Sequence, residues 1–170
     1  REQRQEYRTS PAFYFDCGAF FFDVSEEPKG AAGDNSWRDQ FRALGVSVVT
    51  SVLELGLEEA NLVRLCAYML RVRRVPLYAS RLFALVLEMR PEEPQSHRDY
   101  ALSLATLVEE DFDEEPQGSP RKEGSLQKIR QRVVTALQHF ACVVTGEWRS
   151  DFSEIEVTAL QEMNSFVASC

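Results

Sequence analysis

Histidine is scarce in this 170-residue chain, with His97 and His139 the only two, and the four cysteines Cys17, Cys66, Cys142 and Cys170 stand far apart with no Cys-x-x-Cys pair. Neither set has the ligand spacing a zinc site needs, so no metal is expected. No Asn-x-Ser/Thr acceptor occurs, and with thiols sitting in apolar patterns this fits a reducing setting, so an intracellular, cytoplasmic location is expected. No uncharged apolar run approaches the roughly 20 residues of a membrane helix, because Asp16 and Asp23 interrupt the aromatic segment and Glu54 follows Val52-Leu53. A Gly-rich phosphate loop, His-Glu-x-x-His and Gly-x-Ser-x-Gly are all missing, and no local nucleophile has a base and an orienting acid beside it. The expectation is a chain that is not an enzyme, has no cofactor and takes no small-molecule substrate.

Positive charge is in short supply too. Nineteen Lys and Arg face 27 Asp and Glu, a net charge of -8, which argues against a nucleic-acid partner because phosphate binding is built from clustered cations. The start, Arg1-Glu2-Gln3-Arg4-Gln5-Glu6, has no initiator Met, apolar h-region or cleavage site, and reads as a piece of a longer polypeptide or a processed product.

What the chain does have is apolar content. At 44% hydrophobic residues, one domain of this length can remove roughly 70% of its unfolded surface from water. The apolar residues recur at helical spacing and alternation of period two is never sustained, so the fold class is all-α with about seven helices. Residues 1–9 read as an N-terminal extension. Ser10 and Pro11 open the first helix, whose stripe is Phe13, Cys17, Phe20 and Phe21, widened by Phe15 and Phe22 so that more than one side is expected to be buried. Five of the eleven Phe fall in 13–22, so this helix is either central or an interface on one side; the central position is the expectation.

The second helix runs from Trp37 to about Leu55 and is ended by Gly56. A third, about Glu59 to Arg73, turns Leu62, Leu65, Cys66, Met69 and Leu70 inward. Pro76 opens the fourth, and Pro91 and Pro94 mark the break before the fifth, which ends near Glu109. The sixth covers Ser125 to about Thr145, and the seventh, capped by Ser153 and Glu156, ends at Ala168. Segments 25–36 and 110–124 are loops by composition. Asp111, Asp113 and Glu115 alternate as calcium ligands do, but Pro116 and Lys122 stand where Gly and a closing Glu are required. His97 belongs at a helix start and His139 on a helix flank.

A register of period 34 places Ala60 first, Ala67 eighth, Ala79 twentieth, Phe83 twenty-fourth and Pro91 thirty-second. Ala101, then Ala136, Phe140 and Val143, repeat the small, aromatic and aliphatic positions, and Gly18, Gly45, Val49 and Val52 do so in the first pair. This register resembles a tetratricopeptide repeat, with Arg74 standing where the turn usually takes Gly. The resemblance implies stacked antiparallel hairpins, 10–55, 59–89 and 94–145, in a right-handed solenoid over 10–168, with 153–168 as a cap helix.

Three runs carry a second likeness: Ser10-Pro11-Ala12-Phe13-Tyr14-Phe15-Asp16, then Leu87 to Ala101, and Gly146-Glu147-Trp148 followed by Glu154-Ile155-Glu156 and Ala159 to Asn164. In this order they are similar to the helical C-terminal region of large proteins with VIT and von Willebrand factor A domains. That resemblance implies a scaffold appended to an adhesion-type or assembly module.

Function is then expected to be protein–protein interaction, on a concave face lined by the first helix of each pair. Arg64, Tyr68, Arg71, Arg98 and Ser103 are the candidate contacts, as polar or amphipathic positions between core residues. Residues 64–90 hold six Arg against Glu88, whereas 92–115 hold nine acids against Arg98. Arg71, Arg73 and Arg74 read either as cations at a helix C-terminus, each contributing about 0.3–1 kcal/mol, or as a basic patch for an acidic partner segment. The alternative to a peptide-gripping scaffold is a structural subunit packed within a large complex with no ligand groove.

Overall fold

The computed structural model describes residues 9–26, 36–55, 59–113, 123–146, 148 and 153–169. The fold is all-α, in stacked helix hairpins, with no strand among the described residues. Among the described residues seven helices follow one another: α1 (Pro11–Glu26), α2 (Ser36–Ser51), α3 (Ala60–Val72), α4 (Pro76–Met89), α5 (Pro94–Asp113), α6 (Glu123–Thr145) and α7 (Ser153–Ser169), with a 3₁₀ turn at Val52–Glu54. They fall into two compact units, Arg1–Arg73 and Arg74–Cys170. The division lies in the turn of the hairpin expected over 59–89, so α3 belongs to the first unit and α4 to the second.

In the first unit α1 and α2 pack along each other, and two glycines set how closely. A Cβ at Gly18 would overlap the Val49 methyl, and one at Gly45 would sit 3.0–3.1 Å from the Phe22 ring. Phe22, Val49 and Val52 are fully buried as a result, which is why the small positions of the repeat are small. The stripe expected on α1 is displaced by one residue: Gly18, Phe22 and Ser25 face inward, while Phe13 and Phe20 are exposed. On α3 the buried set is Ala60, Val63, Cys66, Ala67 and Leu70, and Leu65, expected inside, is outside. Burial pushes the Cys66 thiol up to about 11, and its S–H points at the Val49 carbonyl, 3.8 Å away.

In the second unit α4 packs on α5, α5 on α6, α6 on α7, and α7 back on α5. Pro76 begins α4, its missing N–H being one that a helix start leaves unused. Ala79, Phe83, Ala101, Ala136, Phe140 and Val143, the repeat's marker positions, have no solvent exposure. The core around α5, α6 and α7 adds Leu104, Val108, Ile129, Ala159 and Phe166.

Helix occupies both ends of the segment expected as a loop over 110–124. α5 continues to Asp113 and α6 begins at Glu123, because Asp111 pairs with Arg132 and, at 3.5 Å, with Lys128 on α6. Those cations offset the unfavourable placing of an acid at a helix C-terminus. Residues 114–122 and 27–35, where loops were expected, Gly56, most of the N-terminal extension and the Ser153 side chain lie outside the described residues.

Candidate functional site

The candidate contacts of the first unit lie on α3. Arg64, Tyr68 and Arg71 are spaced i, i+4, i+7 and so share one face, and all three are half-buried. The Arg71 guanidinium lies 5.0 Å from the centroid of the Tyr68 ring, a cation–π pair that holds both side chains on the surface of the helix. Leu65, 51% exposed, and Val72, 74% exposed, flank it. An aromatic stacked with arginine between exposed aliphatic side chains has the composition of a protein-contact hot spot.

Arg73 has a different role. Its guanidinium reaches Asp23 at 2.5 Å and Glu26 at 3.6 Å and lies 5.9 Å from the centre of the Phe22 ring. Its carbonyl accepts a 3.0 Å hydrogen bond from the Arg42 guanidinium. It thereby fastens the end of α3 to α1 and α2. The acids that meet this part of the Arg-rich stretch, Asp23 and Glu26, belong to α1.

Arg74, the first residue of the second unit, has φ 55°. It takes the left-handed conformation that usually selects Gly after a helix C-terminus. Arg98 on α5 grips Glu162 of α7 with two N–H groups, Nε to Oε2 at 2.7 Å and Nη2 to Oε1. Ser103 is buried and its hydroxyl donates to the Tyr100 carbonyl at 2.7 Å. It is a core residue and does not line an accessible face, because its helix turns it toward the interior at the same register as Ala101 and Leu104.

Sequence reasoning placed His97 and His139 separately, but they meet. Their Nδ1 atoms are 3.0 Å apart, and His97 Nε2 is 2.9 Å from the Pro91 carbonyl. A carbonyl only accepts, so His97 carries its hydrogen on Nε2, and His139 donates from Nδ1 to His97 Nδ1. The Tyr100 ring stands edge-on to His139 with centroids 5.1 Å apart, and Trp148 packs 5.7 Å from His97 while donating its indole N–H to the Val143 carbonyl. Burial, then the neighbouring His97, lowers the His139 pKa below 6.5.

Spacing gives no hint of this pair, which lies 42 residues apart in sequence. The nearby Gly146-Glu147-Trp148 run does carry a trace of it. A Cβ on Gly146 would stand 2.6 Å from the Cys142 carbonyl and 2.7 Å from the indole, so Gly is required there to seat Trp148.

Between α5 and α7 a groove of about 300 Å³ has a floor that includes Leu102, Phe140 and Phe166 and a rim with Glu109 and Glu162. Among the described residues no group of three or more His, Cys, Asp or Glu could hold a metal ion, and no helix is long and apolar enough to cross a membrane. No family matches the chain, and no curated protein or solved structure matches it.

Proposed function

We propose that the chain is a non-catalytic protein–protein interaction scaffold built from helical repeats, part of a larger polypeptide or assembly. The observation that carries the reading is the α3 face, where Tyr68 and Arg71 stack between exposed Leu65 and Val72. Such a face is suited to a partner segment with an apolar side chain and an acid, the first packing on Tyr68 and the aliphatic residues and the second pairing with Arg71. The likeness to the helical region of VIT and von Willebrand factor A proteins supports an appended scaffold. The thiols Cys17, Cys66 and Cys142, all free, support a reducing, cytoplasmic location.

The second reading, a structural subunit packed on several sides, is favoured by exposed apolar side chains on other helices, among them Leu126 and Val134 on α6. A photoreactive residue at Val72 tests the first reading in native extract. The expected result is a covalent adduct with a separate protein that Tyr68→Ala or Arg71→Glu removes, the Arg71→Glu loss shrinking at high salt. Adducts from Leu126 and Val134 with none from Val72 would favour the structural subunit.

A further inference from the structure

We propose that α7 is a self-association seam on which a second copy of this chain docks in parallel, an inference independent of the α3 reading. The inner side of α7 is already committed. Ala159 and Phe166 are buried in the core of the second unit, Ile155 and Met163 pack against it, and Glu162 is held by Arg98. Outside stand Val157 (60% exposed), Leu160 (41%), Asn164 and Val167 (56%). Their spacing of three, four and three is that of the a and d positions of two heptads, the pattern by which one helix seats its apolar side chains between those of another.

Charge argues for the occupant. From Val157 to Ser169 the one charged residue is Glu162, and Arg98 neutralises it. In a chain of net charge -8, this strip lets another acidic copy approach without local repulsion, and it offers a charged partner nothing to pair with. Asn164 sets the orientation. Against a foreign apolar side chain its amide would lose water and gain no hydrogen bond, whereas across a parallel two-fold axis it meets its own mate, donor to acceptor. An antiparallel pairing of the same two heptads would set Asn164 on Leu160 of the second copy. Two heptads cover less area than an obligate interface, so the dimer is reversible.

Sedimentation equilibrium of the full chain, from low micromolar to near-millimolar concentration, tests this. The expected result is a monomer–dimer equilibrium whose dissociation constant rises about a hundredfold in Leu160→Asp and in Val167→Asp, since each would bury unpaired carboxylates. Helix content, and melting temperature at concentrations where the parent is monomeric, should not move, because both positions are exposed. Asn164→Leu should tighten association and admit orders above two. A chain that stays monomeric throughout, or a dimer that survives both Asp variants, overturns the proposal; an Asn164→Leu variant indistinguishable from the parent overturns the parallel pairing.

Discussion

Arg74 and Gly18 occupy sites where the side chain and the backbone disagree about what belongs there. At φ 55° the Arg74 Cβ crowds the following carbonyl, a cost of roughly 1–2 kcal/mol that Gly escapes, partly offset by the greater freedom of Gly in the unfolded chain. Arg74→Gly should therefore raise unfolding stability by about 0.5–1 kcal/mol, read from urea midpoints at constant slope. Gly18 is the opposite case. Ala has about 1 kcal/mol better helix propensity, but its methyl would enter the space of the Val49 side chain, and overpacking of this kind costs about 1–3 kcal/mol. Gly18→Ala should lower the midpoint, by about 1 kcal/mol net. The same substitution at a solvent-facing glycine such as Gly124, where a Cβ meets nothing within 4 Å, should raise it.

At the scale of the element, α3 shows how a helical period can be recognised while its phase is misjudged. Leu62, Leu65, Cys66, Met69 and Leu70 and the observed Ala60, Val63, Cys66, Ala67 and Leu70 are both 3.6-residue stripes, rotated by a fraction of a turn. Residue size gave the wrong phase, since a leucine suggests an interior and an alanine does not, whereas close helix crossings need the alanine. The register can be checked directly. Leu70→Ala should cost about 2–5 kcal/mol, while Leu65→Ser should stay within about 0.5 kcal/mol, both by chemical denaturation. The same shift explains α1, where Phe13 and Phe20, expected inside, are exposed while Phe22 is buried. It also turned Leu65 from an expected core residue into part of the α3 face.

For the whole molecule the sharpest lever is acid. Folded His139 has a pKa below 6.5, so just below that pH the unfolded chain takes up a proton that the folded one refuses. Stability is fully present above pH 6.5 and falls as pH drops toward the lowered folded value. A series of urea midpoints should show this decline in the parent and lose it in His139→Gln, although carboxylates take over at lower pH. A His139→Gln profile matching the parent over that window would show that the pair contributes nothing to the pH dependence.

The sequence alone determined that the chain is helical, roughly where the helices begin and end, and which positions must be small or aromatic. Those features follow from local rules: prolines that stop or start helices, a 3.6-residue period, and the space available where two helices cross. Gly18, Gly45, Ala79, Ala136 and Phe140 were all legible for that reason. Tertiary structure decided the rest. It turned Ser103 into the core, tied Arg98 to Glu162 and Arg73 to Asp23, and brought His97 onto His139. Each of those contacts joins residues distant along the chain or depends on the rotation of a helix about its axis, and neither leaves a mark in local spacing. An arginine looks the same in sequence whether it awaits a partner or already holds a carboxylate, and only the packed helices make the difference.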